Sequence, residues 1–128
     1  MHAIRRRICL VNPSRGAAGP ASFQRRLTAG LAARGIGVIH GLTREPFDAA
    51  LVVGGTRQLV GLALARRRGI PVLQRLDGIN WLHRRLRTGL RHYLRAEANN
   101  LLMRIIRWRL ADVVVYQSQF AREWWERQ

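Results

Sequence analysis

Residues 7–39 read RICLVNPSRGAAGPASFQRRLTAGLAARGIGVI, and this stretch decides the fold. A short apolar run, residues 7–11, has the length and character of a buried strand. It is followed by Asn12, Pro13, Gly16, Gly19 and Pro20, residue types suited to turns and unusual backbone angles. From about Ala21 to Arg34 the pattern becomes helical, with Phe23, Leu27 and Leu31 spaced four apart on one face, and Gly35 is placed to end the helix. Ile36 to Ile39 then reads as a second strand. Strand, glycine loop, helix and strand in this order form the unit of a parallel sheet covered by helices.

The alternation continues outward from that unit. Pro46 breaks the next connection, Ala49 to Val53 reads as a third strand, and Gly54-Gly55 stops it where Thr56 can cap a second helix. That helix carries Leu59, Leu62 and Ala63 inward, and Arg66 to Arg68 complement the dipole at its C-terminus. Pro71 to Arg75 is the fourth strand, proline being tolerated at a first strand position. The elbow Asp77-Gly78-Ile79-Asn80 leads into a long helix over about Trp81 to Leu110. Asp112 to Tyr116 is the fifth strand, whose three valines predict burial on both faces. Ser118 is placed to cap a last helix, Gln119 to Gln128, which carries Trp124 and Trp125 near its end and shows no C-cap, so that the chain looks cut there. The expectation is one domain, 1–128, of the α/β class. It is a three-layer Rossmann-like domain with a parallel five-stranded sheet in the order 3-2-1-4-5 and right-handed crossovers.

Composition bounds the chemistry. A chain of 128 residues with 48% hydrophobic content fits one domain with a core that needs neither disulfide nor metal. Cys9 stands alone, which rules out an intrachain disulfide and, with no apolar run behind the basic start, predicts a reducing, cytoplasmic setting. All 23 basic residues are arginine against 7 acidic ones, for a formal charge of +16. The absence of lysine excludes a Walker A lysine and any Schiff-base lysine. His2, His40, His83 and His92 fall on no ligand spacing, so no metal is expected. Ser14, Ser22 and Ser118 lack the flanking of a nucleophile elbow, and Cys9 in mid-strand predicts an inert thiol. The first loop lacks the G-x-G-x-x-G spacing, and His40-Gly41 stands where a dinucleotide fold wants an acidic residue. NAD is disfavoured and no cofactor is expected.

Three groups of residues remain as candidates. Ser14, Gly16 and Gly19 follow strand one at the carboxyl edge, where doubly wound sheets bind ligands, although a plain turn also explains the glycines. Asp77, ahead of Gly78, sits at the same edge after strand four and is read either as a general base for a hydroxyl or as an Asx-turn or helix cap. On the long helix, Leu82, Leu86, Leu90 and Leu94 form one stripe and Arg84, Arg87, Arg91 and Arg95 another. Two dispositions follow: leucines to the core with arginines in water, or the arginines on an anionic membrane surface. With an arginine nearly every turn, the segment is not a membrane span. Nucleic acid fits poorly, because no aromatic platform interleaves the arginines.

The stretches ICLVNPSRGAAGPASF, LTAGLAARGIGV and ADVVVYQSQFAREWW, taken in that order, resemble a family-4 glycosyltransferase, and the resemblance covers nearly the whole chain. It implies the N-terminal, acceptor-side domain of a GT-B enzyme, with the nucleotide-sugar domain missing. Ser14, Gly16 and Gly19 correspond to the loop that approaches bound ligands. Leu76-Asp77 stands where the family commonly has a His-Asp pair, so the aspartate is kept and the histidine is not. The paired glutamates and basic residues that hold the donor belong to the missing domain, which implies that a nucleotide-sugar donor is reached only through it and that this half transfers nothing alone. The acceptor is left open. The alternative is a stand-alone basic module at an anionic membrane surface, at the inner face of the membrane. A remnant without a selected role would leave Trp124 and Trp125 exposed on the face meant for the second domain.

Overall fold

A computed structural model of the chain describes residues 6–12, 19–42, 46–76 and 89–127. The described elements are β1 (Arg7–Leu10), α1 (Gly19–Ala33), β2 (Gly37–His40), β3 (Ala49–Val53), α2 (Leu59–Arg67), β4 (Val72–Leu76), α3 (Leu90–Ile105), β5 (Val113–Tyr116) and α4 (Gln119–Glu126). The α3 helix runs directly into one π-helical turn, Ile106–Leu110, closed by the amide of Ala111 donating to the carbonyl of Ile106 at 2.7 Å. All five strands are parallel, as the alternation of short apolar runs with helices predicts.

Strand order is β2-β1-β3-β4-β5, which corrects the predicted 3-2-1-4-5. The third strand does not lie outside the second. It pairs with β1 on its other side, Ile8 beside Ala49 and Leu10 beside Leu51. The physical reason lies in composition. β3 is AALVV, with Ala50 and Val52 fully buried, and a strand apolar on both faces is stable only in the interior of the sheet. β2 is GVIH, reaches no full burial and ends in an exposed histidine, as suits an edge.

Alternation along the strands sorts side chains into two layers. Cys9, Val11, Ala50, Val52 and Val72 face α2 and the π-turn, where Leu62 and Ile106 complete a fully buried core. Leu76 continues this layer towards the carboxyl edge and packs with Met103 and Trp125. On the opposite face α1 lies across the sheet, bringing the ring of Phe23 under the guanidinium of Arg75 at 3.9 Å. The result is three layers, with α1 on one side and α2, α3 and α4 on the other.

Three further expectations are corrected. β5 is not buried on both faces: it is the edge strand, and Val113 and Val115 are half-exposed on the α1 side. Trp125 is fully buried and Trp124 half-buried, their rings meeting edge to face at 5.4 Å. The amphipathic α4 turns these tryptophans onto Leu76 and Met103, with Ser118 capping it through a 3.1 Å bond from the amide of Ala121. Thr56 contributes less than a helix cap. Its hydroxyl accepts from the amide of Gln58 at 3.2 Å in a turn that precedes α2.

Candidate functional site

In a sheet of this order the chain leaves β1 in one direction and returns as β3 on the other side, so the crevice at the carboxyl ends of β1 and β3 is the topological switch point. The residues there are held by side-chain amides. Asn12, just past β1, donates through Nδ2 to the carbonyls of Val53 at 2.7 Å and Gly55 at 2.9 Å, and its Oδ1 accepts from the amide of Val53 at 3.1 Å. Both halves of one carboxamide thus extend the β1–β3 pairing beyond the last residues of the strands. Gln24, on the first turns of α1, donates to the carbonyl of Asn12 at 3.3 Å and ties the helix to the same point.

A second clamp holds the end of β3 from the helical side. Gln74 is fully buried in β4, and its Nε2 donates to the carbonyls of Gly54 at 2.8 Å and Met103 at 3.1 Å. Gly54 has φ +77°, a conformation open to glycine at little cost, and its amide donates to the carbonyl of Arg75. At Gly55 the approach of α3 is the constraint. A Cβ there would stand 3.1 Å from Cγ of Met103 and 3.3 Å from Oδ1 of Asn99. The turn after β3 is therefore gripped by β1 through Asn12, by β4 through Gln74 and by α3 through the bare Gly55. Among the described residues the side chains in this grip are neutral amides, and their N–H donors are spent on backbone carbonyls.

The predicted site residues distribute as follows. Ser14, Gly16, Asp77, Gly78, Arg84 and Arg87 lie outside the described residues. Gly19 is the first residue of α1, and Arg91 and Arg95 are exposed on α3. The strand order also separates the two candidate loops. The loops after β1 and β4 leave from strands with β3 between them, about 10 Å apart at the usual strand spacing, instead of from neighbours. What lies between them is the Gly54-Gly55 turn. Asn12 and Gln74 were not singled out as functional. The signal for Gln74 was legible, because a polar residue between Val72 and Leu76 on the buried face of a strand needs a partner.

Other chemistry is placed away from this edge. Cys9 is fully buried, its Sγ donates to the carbonyl of Gly41 at 3.2 Å, and burial pushes the thiol up to about 11, which fits the inert thiol read from its mid-strand position. Among the described residues no three His, Cys, Asp or Glu side chains converge. An open pocket of about 640 Å³ lies at the opposite, amino edge of the sheet between Arg66, Arg67, Ile70, Pro71 and Leu110. Arg66 is committed there to structure, bonding the carbonyl of Arg109 at 2.6 Å and Asp112 at 3.2 Å, while Asp112 also accepts from the amide of Val72. Comparison with protein-family models, with characterised proteins and with solved structures gives no match to this chain.

Proposed function

We propose that this chain is the acceptor-side domain of a glycosyltransferase that uses a nucleotide sugar, the donor being held by a separate domain or chain. The observation that carries the reading is the switch-point edge itself, where Asn12, Gln74 and Gly54-Gly55 tie together the ends of β1, β3 and β4, and the candidate loops follow the first and last of these. A floor whose amides are spent on backbone carbonyls brings no charge of its own, which suits a neutral, hydroxyl-bearing acceptor better than a charged one. Ser14 and Gly16 follow Asn12 by two and four positions, and Asp77 follows Gln74 by three, so each candidate loop starts within a few residues of a clamping amide. In this reading the acceptor hydroxyl attacks the anomeric carbon of the donor. The new carbon–oxygen bond forms as the bond to the nucleotide diphosphate breaks, and the hydroxyl proton passes to the Asp77 carboxylate. Charge on the departing diphosphate is stabilised from the donor side.

The test is amide NMR of the folded chain, titrated with UDP-glucose and GDP-mannose in one arm and with mono- and disaccharides as acceptors in the other. Saccharide-induced shifts centred on Asn12, Gly54, Gly55 and Leu76, with no saturable response to either nucleotide sugar, are the expected outcome. Saturable binding of a nucleotide sugar would place a donor site within these residues and overturn the assignment. So would saccharide shifts centred on any other surface.

A further inference from the structure

The α3 helix carries two apolar stripes, and only one of them meets the sheet. Asn100, Met103 and, in the π-turn, Ile106 are buried against it. Leu90, Leu94 and Leu101 are exposed at 74%, 58% and 55%, and at 100° per residue they fall within about 40° of one another on the opposite side. This reverses one expectation, since the leucine register 82-86-90-94 turns its described members, Leu90 and Leu94, outward. Tyr93 is exposed beside them, and Trp108 is exposed in the turn that follows.

Charge on this helix is one-sided. Arg91 and Arg95 are exposed on one flank of the leucine stripe, about 60° and 100° around the helix axis from Leu94. Glu97 is the one acidic residue of α3, is half-buried, and already has an interaction partner. An apolar stripe flanked by arginines and aromatic rings is the pattern of a helix lying in a lipid interface, leucines in the acyl boundary and guanidinium groups on phosphates. A second copy of the chain is a poor occupant, because each copy brings a formal charge of +16. No described helix is long and apolar enough to cross a membrane, so the contact is one of lying on the surface. We infer that the outward face of α3, built on Leu90, Leu94 and Leu101 with Arg91 and Arg95, docks the protein onto an anionic lipid bilayer.

Vesicle co-sedimentation tests the inference, with phosphatidylglycerol–phosphatidylcholine vesicles set against pure phosphatidylcholine. The parent protein is expected to pellet with the anionic vesicles, less so as salt rises. Leu90→Asn with Leu94→Asn is expected to weaken binding on the order of tenfold or more, and Arg91→Gln with Arg95→Gln on the order of tenfold. Val60→Asn with Leu64→Asn removes two exposed apolar side chains from α2 instead and is expected to change nothing. General attraction of a basic protein to anionic lipid would survive the leucine substitutions, so a leucine variant that binds like the parent overturns the proposal. Equal losses from the α2 pair would overturn it too, as would a parent that self-associates through this face in sedimentation velocity. Should a variant fail to fold, hydrogen exchange on the parent decides. Vesicles are expected to slow exchange across residues 90–101, and unchanged exchange there refutes the docking face.

Discussion

Substituting Asn12 isolates the clamp at the switch point. Its carboxamide makes three bonds: two donated, to Val53 and Gly55, and one accepted, from Val53. At about 1 kcal/mol net for each bond, complete loss is about 3 kcal/mol. Asn12 is only half-buried, so water restores part of this, and Asn12→Ala is expected to cost about 2 kcal/mol. Asn12→Asp is the sharper test because it keeps shape and volume. The introduced carboxylate still accepts from the Val53 amide, but an oxygen now faces two carbonyl oxygens at the positions where Nδ2 stood 2.7 and 2.9 Å away. Two attractions become two repulsions, and at pH 7 the aspartate variant is expected to be less stable than the alanine one, by about 1 kcal/mol on the same scale. Repulsion of this kind raises the pKa of the introduced acid, so protonation supplies one donor and the gap between the variants closes as pH falls towards 4. Urea unfolding followed by circular dichroism measures both. A loss of about 2 kcal/mol moves the midpoint by about 1 M with the slope unchanged. If Asn12→Asp is as stable as the parent at pH 7, the carboxamide does not hold β1 to β3 and the account of the site floor fails.

Three other outcomes follow from the packing. Burial raises the Cys9 thiol from 9.0 to about 11, so the folded state keeps its proton while the unfolded chain loses it. Stability is therefore full below pH 9 and falls as pH rises towards 11, by up to about 3 kcal/mol, and Cys9→Ala removes that slope from urea midpoints taken across this range. Gly55→Ala forces the new methyl against the Met103 backbone amide at 3.3 Å and is expected to cost about 1–2 kcal/mol, whereas at Gly61 the nearest atom is the tip of Leu42. Because Leu42 can swing aside and alanine favours the helix, Gly61→Ala is expected to stay within about 1 kcal/mol of the parent in thermal unfolding. On β5, Val115→Thr on the half-exposed face should cost less than about 0.5 kcal/mol, while Val114→Thr, packed in the layer with Leu76 and Trp125, should cost more than twice that in the same assay.

The parallel α/β class was legible because it rests on period. Runs such as ICLV and AALVV, short and bounded by turn residues, read as strands buried on both faces, and the helical spacing of Phe23, Leu27 and Leu31 sits between the first two strands. Strand order was not, since connection length and handedness are satisfied whether β3 lies outside β2 or inside β1. The signal for the inner position was the contrast between AALVV and GVIH, a comparison of burial demand between strands that no reading of one strand at a time makes. The same limit explains β5. VVV demands burial by composition, but the strand is added last and nothing described covers its α1-side face, so tertiary position overrode the local signal.

The site was half legible for a related reason. Loops at the carboxyl edge follow from topology, and their residues could be named from sequence, but the residues that hold those loops in place are read only in pairs. Asn12 matters through Val53 and Gly55, and Gln74 through Gly54 and Met103, each of them far away in the chain. The orientation of α3 is the clearest instance. Its sequence offers two apolar stripes, and the leucine-rich one is the more hydrophobic, so local hydrophobicity favours turning Leu90 and Leu94 inward. The structure instead buries a stripe that includes Asn100, and the reason lies on another element. Gly55 leaves room at the end of β3 for Asn99 and Met103 to come within contact distance of the backbone, and Gln74 rewards that approach with a bond to the Met103 carbonyl. Once Met103 is fixed against β3 and β4, helical geometry leaves Leu90, Leu94 and Leu101 on the far side. A single missing side chain in the switch-point turn thus sets which face of α3 the protein presents outward, and it couples the floor of the candidate site to the surface inferred to meet the membrane.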